Sequence, residues 1–271
     1  MKFLHELKDA EELYKAVANE KEIEPYLVEK DYWIMHALWG LQQQGYDFEL
    51  KGGTSLSKGF KIIDRFSEDI DIKIKPEKDK DLPVGKNHDK EAHISKRKEY
   101  FEGLSKQINI PGMQVSRDAD YDDPKFRNAG ILLSYDNIFK ALSGVKEGIL
   151  LEVGFDTTTP NEAIDIDSWA FNKASEVHSD LTNTKAISVK CYLPEYTFVE
   201  KLQTITRKSR QQKESGKFDI NFLRHFYDIH QLFQQPRVKK FIGSEAYVAH
   251  KEDRFRGEDN PILEDNLAFY L

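Results

Sequence analysis

Two carboxylates two residues apart, Asp69 and Asp71, lie on the apolar stretch "EDIDIKI", and a glycine pair followed by hydroxyls, "GGTSLSK", precedes them. Successive side chains of a strand point to opposite faces. Asp69 and Asp71 therefore share one face, and Ile70, Ile72 and Ile74 take the other. Neighbouring carboxylates repel unless a cation lies between them. Magnesium fits such a pair, because it takes oxygen ligands and often binds through one or two carboxylates plus substrate phosphates. Two such ions would clamp the attacking and leaving oxygens of an in-line phosphoryl displacement. Gly52 and Gly53 have no Cβ, so the backbone there can approach a ligand closely. A helix starting at the turn, with Thr54 or Ser55 as its cap, would offer unpaired N–H groups to a phosphate. Thr54, Ser55 and Ser57 add hydroxyls and Lys58 a charge. The order is not that of a Walker loop, Gly-x-x-x-x-Gly-Lys-Ser/Thr. An isolated Asp-x-Asp or Gly-Gly is ordinary. The succession of strand, Gly-Gly-Thr-Ser, helix and Asp-x-Asp strand is what points to chemistry on a phosphate.

The elements that must position these residues follow from periodicity. Leu7 to Ala18 reads as a short amphipathic helix, and Pro25 opens a second, "PYLVEKDYWIMHALWGLQQQG", ended by Gly45. "FELKGG" is a strand running into the glycine turn. From Lys75 to about Asn109 the chain is highly charged and reads as a loop followed by a solvated helix. "GMQVSRD", "AGILLSYD", "GILLEVGFD" and "KAISVKCYLPEY" are strand candidates. From Pro194 the pattern is helical. The expectation is an α+β protein: residues 1–193 forming a mixed sheet flanked by helices, and residues 194–271 forming a helical bundle.

Several further residues invite a role and have a plainer one. His88 and His93 match no strong zinc spacing and read as loop histidines. His225 and His230 read as packing or surface residues. Cys191, the single cysteine, reads as a small buried residue and excludes a disulfide framework or a cysteine zinc cluster. Lys30 and Asp31 read as an exposed pair on a helix that buries Tyr32 or Trp33. The net charge of −7 argues against a globally basic nucleic-acid coat but leaves room for a local basic surface. "RKSRQQKESGK", Arg207 to Lys217, is such a stretch, and its plainer reading is a solvated loop between helices. The charged first residues lack the apolar core of a signal peptide, and no apolar run is long enough to span a membrane. The expected location is the cytoplasm.

"KGGTSLSKGF" followed by "RFSEDIDI" resembles the signature of the nucleotidyltransferase AbiEii/AbiGii toxin family, a branch of the DNA polymerase β-like nucleotidyltransferase superfamily. "VEKDYW" at Val28–Trp33, "VEKLQTITRKSR" at Val199–Arg210 and "RHFYDIHQL" at Arg224–Leu232 are similar to segments found in that order in the family. The resemblance implies a nucleotidyltransferase-like first domain. It implies that Gly52, Gly53, Thr54 and Ser55, with Lys58, cradle a nucleoside triphosphate, and that Asp69 and Asp71 bind Mg2+. It implies that Lys201 meets the triphosphate or the developing charge and that Asp228 completes the active site, although an i,i+4 pair with Arg224 is a structural alternative. Superfamily enzymes often carry a third carboxylate on a neighbouring strand. Glu152 is the candidate and Asp156 the alternate. The implied activity is transfer of a nucleotide to an RNA acceptor, the tRNA 3′ end, by the toxin of a toxin–antitoxin or phage-defence pair with a cognate antitoxin. A protein hydroxyl as acceptor, or nucleotide binding without catalysis, are the alternatives.

Overall fold

The alternation in "IDIKI" buries Ile70, Ile72 and Ile74 and leaves Asp71 and Lys73 on the half-exposed face, as the sequence predicts. The computed structural model describes all residues except 78–80, 86, 219–220, 256–258 and 260–271. Seven strands form one mixed sheet: β1 (Phe48–Lys51), β2 (Ile70–Ile74), β3 (Gln114–Asp118), β4 (Asn128–Ser134), β5 (Ile149–Gly154), β6 (Asn161–Ile166) and β7 (Ala186–Tyr192). Their spatial order is β3-β4-β5-β2-β1-β7-β6. β2 is central, antiparallel to β1 and parallel to β5, while β1 runs parallel to β7. The register pairs Leu50 with Ile72, and Ile70 and Ile72 with Leu151 and Val153, so one face is a continuous apolar layer. Each such side chain contributes about 1.5–3 kcal/mol on full burial.

Helices α1 (Ala10–Lys21), α2 (Pro25–Gln43) and α5 (Trp169–Val177) pack on one another, and α2 also meets β5. Pro25 opens α2, where its missing N–H costs nothing. α4 (Glu91–Gln107) is the helix expected in the charged segment, and it packs on β3. The glycine turn differs from expectation. Its helical part starts at Gly52, with Lys51 as N-cap and no side-chain cap. One turn, α3 (Gly52–Thr54), continues as a π-helical turn over Ser55–Gly59 and stops there.

The chain divides into two compact units. The first comprises Met1–Gly59 and Arg65–Cys191, the second Phe60–Asp64 and Tyr192–Leu271. This departs from the expected boundary after residue 193 chiefly in assigning Phe60–Asp64 to the second unit. One link is the Tyr227 hydroxyl, which lies 3.2 Å from the Asp64 amide and accepts its N–H. The second unit carries α6 (Pro194–Ser215), α7 (Leu223–Gln234), α8 (Pro236–Phe241) and α9 (Glu245–Arg254). α6 packs against the other three. The basic stretch continues the helix read from Pro194, as the last part of α6 as far as Ser215, and Gly216 in the left-handed region ends it; the plainer loop reading does not hold there. Among the described residues no helix is long and apolar enough to cross a membrane.

Candidate active site

Gly52 has φ +72°, a conformation that side-chain-bearing residues rarely adopt, and a Cβ there would lie 2.1 Å from Asp71 Oδ2. The turn is therefore pressed directly against the carboxylate. A Cβ on Gly53 would lie 2.5 Å from Ser67 Oγ and 3.2 Å from an Arg65 guanidinium nitrogen. The Thr54 hydroxyl donates to the Asp69 carbonyl at 2.5 Å, with Ser67 Oγ 3.2 Å away. The turn and the entry to β2 are thus one bonded unit. Both Thr54 and Ser55 are buried, so their hydroxyls turn inward instead of presenting to a ligand.

Cross-strand register places Lys51 opposite Asp71, Asp71 beside Glu152, and Glu152 opposite Gly130, a row across four strands. Burial and the Asp71 and Asp69 charges push the Glu152 carboxyl up to about 8, while Lys51 opposes the shift. These influences favour the protonated form of Glu152, which shares a hydrogen bond with Asp71. Asp156, the alternate third carboxylate, lies beyond the end of β5 and is exposed.

Among the described residues no group of three His, Cys, Asp or Glu side chains is closed around a point that would hold a metal ion. The donor set still suits a hard divalent cation. Asp69 and Asp71 supply carboxylate oxygens, and magnesium needs only one or two when phosphates and water complete its shell. Burial first, and then the Asp71 and Asp69 charges, raise the Glu152 carboxyl beside them.

Lys58 does not aim its charge at a phosphate. Its ammonium pairs with Asp31 and sits 3.6 Å from the centre of the Trp169 ring. Burial pushes the Asp31 carboxyl up and the Lys58 ammonium down, each opposed by the other's charge. Lys30 and Asp31, expected on the surface, are both fully buried. This burial could not be read from the chain, because their partners are distant in it. Arg65 and Ser67 were also missed, although both stand in the quoted "RFSEDIDI".

Within the second unit Lys201 Nζ lies 2.8 Å from Asp228 Oδ2, and Asp228 is fully buried. The partner found is Lys201, from the preceding helix, where sequence spacing offered Arg224. Burial, helped by the Lys201, Arg224 and Lys208 charges, lowers His225 to about 3, which leaves it neutral and unsuited to hold a proton at neutral pH. Cys191 is buried and its thiol is raised to about 12 by burial, so it is inert.

No curated protein matches the chain. A solved structure described as an antigenic nucleotidyltransferase-like protein from Paracoccidioides brasiliensis is 13% identical. The match covers 83% of this chain and 87% of that one, with a TM-score of 0.40. The family model for the nucleotidyl transferase AbiEii toxin of type IV toxin–antitoxin systems matches residues 33–269, most of the chain and all of the glycine turn and Asp-x-Asp strand. The chain belongs to this AbiEii family and is a nucleotidyltransferase.

Proposed function

We propose that the protein is the toxin of a toxin–antitoxin pair and transfers a nucleotide from a nucleoside triphosphate to RNA, at the 3′ end of tRNA, with Mg2+ as cofactor. The observation that carries this reading is the contact of the Gly52 backbone with Asp71, beside Asp69 and Glu152. A triphosphate lying on the Gly52–Gly53 backbone would have carboxylates at its reacting end. Asp69 and Asp71 would hold the cation, and Glu152 would join them on losing its proton. The cation would supply neutralisation of charge on the transferring phosphoryl group. In the reaction, an acceptor hydroxyl oxygen bonds to the α-phosphorus, the bond from the α-phosphorus to the pyrophosphate oxygen breaks, and the hydroxyl proton passes to water. Positioning and electrostatics do most of this work. In the second unit we assign the Lys201 ammonium, held by Asp228, to a substrate phosphate.

RNA is favoured as acceptor by the end of α6. Arg207, Arg210 and Lys213 recur every three residues there, and Arg207 and Lys213 are exposed. Such a stripe suits a phosphate backbone. The test is incubation of the purified protein with each labelled nucleoside triphosphate, Mg2+ and total tRNA. The expected result is label on tRNA from a preferred nucleotide, lost with chelation and in Asp69→Asn and Asp71→Asn. Label appearing only on protein, or full transfer by both variants, would overturn the reading.

A further inference from the structure

We infer that two consecutive buried charges on α2, Lys30 and Asp31, form a positioning hub that holds the glycine turn and the entry to β2 in register for nucleotide transfer, while their buried neighbour Glu29 holds the Ile138–Phe139 segment. The inference rests on the functional reading above, since it gives these residues a part in the same site.

Successive residues of a helix point about 100° apart, as 3.6 residues per turn requires. Three in a row therefore fan out and cannot share one partner. Each of these three is at most 1% exposed. Burying a charge costs several kcal/mol unless it is well paired. Each has a different segment to hold. Glu29 accepts the Ile138 and Phe139 N–H groups at 2.8 and 3.1 Å. Lys30 donates to the Lys146 carbonyl and lies 3.7 Å from Glu68 Oε2, which itself accepts the Lys146 N–H at 3.0 Å. Glu68 immediately precedes Asp69. Asp31 pairs through Oδ1 with Lys58 of the π-helical turn and accepts the Trp169 N–H through Oδ2 at 2.9 Å.

These contacts close a ring. From α2, Asp31 reaches Lys58 and so the glycine turn, whose Thr54 hydroxyl bonds to the Asp69 carbonyl. The adjoining Glu68 leads back through Lys30 to α2. Both halves of the site are thus referred to one rigid helix. Apolar residues would supply as much stability at these positions, since buried ion pairs are often no better than hydrophobic packing. Ion pairs with fixed partners add geometry. Lys30 and Asp31 are positioning residues here, acting through Glu68 and Lys58, and touch no substrate themselves.

The test combines hydrogen exchange on the folded protein with kinetics for the nucleoside triphosphate that the wild type transfers. Asp31→Asn keeps the shape and an acceptor for the Trp169 N–H but removes the charge. It should speed amide exchange in Gly52–Gly59. Lys30→Met should do so in Glu68–Asp71. Each should lower kcat by about 10²-fold, the scale of an ångström of misplacement, with KM moving far less. The double variant Asp31→Asn/Lys58→Met leaves no unpaired charge. It should regain the wild-type melting temperature while kcat stays low. It also carries the test alone should Asp31→Asn fail to fold. Recovery of both melting temperature and kcat in the double variant would overturn the hub, since the pair would then serve stability alone. So would exchange that rises uniformly or not at all. Localised exchange changes in a protein whose wild type binds none of the four nucleoside triphosphates with Mg2+ would instead overturn the functional reading, and the assignment of the hub to transfer with it.

Discussion

At the scale of single residues, the proposed site turns on one missing methyl group. Gly52→Ala would place a Cβ 2.1 Å from Asp71 Oδ2 and force an alanine to φ +72°. The backbone strain costs about 1–2 kcal/mol. The clash must in addition move Asp71 or open the turn, so nucleotidyl transfer should be lost. Gly45 is the control, with φ +80° and open space where its Cβ would lie. Gly45→Ala should show only the strain loss in thermal unfolding and unchanged transfer; equal activity in both variants would remove Gly52 from the site. The turn at Gly52–Gly53 and the alternation around Asp69 and Asp71 were legible because their constraint is local: a turn without Cβ atoms and an alternating strand. Glu152 was a candidate as well, and the parallel register of β5 with β2 sets that residue beside Asp71. The inward commitment of Thr54, Ser55 and Lys58 was not legible, since it depends on Asp69, Cys191, Asp31 and Trp169 arriving from elsewhere in the chain.

At the scale of elements, strands with clear period-two or continuous apolar runs were readable, and β1, β2, β4, β5 and β7 lie where those runs are. β6 was missed because only Ile166 of "NEAIDI" is buried and most of its residues face water. α5 was missed as well; it is short, starting at a Ser168 cap that accepts the Phe171 N–H at 3.0 Å. The helical pattern from Pro194 was readable, and α6 follows it through the basic stretch to Ser215, where Gly216 ends it. α6 and α7 are joined by the Lys201–Asp228 pair, at 2.8 Å with Asp228 fully buried. Lys201→Met should destabilise the protein by about 3 kcal/mol, because removing one partner strands a buried charge. Lys201→Met/Asp228→Asn should recover most of that loss in denaturant titration, while transfer stays low in both variants. A double variant no more stable than the single would show that the pair is not the main tie between the helices.

At the scale of the whole molecule, buried imidazoles and surface charge set the response to solution conditions. Burial lowers His36 to about 4, and its Nε2–H donates to the Pro111 carbonyl at 2.9 Å. Burial lowers His250 to about 4 in the second unit. A histidine depressed in the folded state and ordinary, about 6.5, in the unfolded one binds more protons when unfolded. Its contribution is intact above about pH 6.5 and is lost as pH falls toward 4. Between pH 7 and 5 each such residue should remove up to about 2 kcal/mol, at about 1.36 kcal/mol per pH unit below 6.5. Melting temperature should therefore fall over that range, and less steeply in His36→Gln; identical slopes would place the acid sensitivity elsewhere. Surface charge bears on the acceptor. The net charge is −7, so any grip on RNA must be local. Arg207, Lys208, Arg210 and Lys213 occupy the last turns of α6, where Arg210 also meets Asp259 at 3.0 Å and Glu214 at 3.9 Å. RNA phosphates would compete with those carboxylates for Arg210. Changing all four residues to Ala should weaken tRNA binding and flatten the slope of log affinity against log salt by roughly three units, at about 0.7 per contact with a single strand. Binding of nucleoside triphosphate, whose proposed contacts lie on the glycine turn and at Asp69 and Asp71, should change little. An enzyme that labels protein and not tRNA, with the four-alanine variant equally active, would establish a protein acceptor and leave the α6 charges as solvated surface.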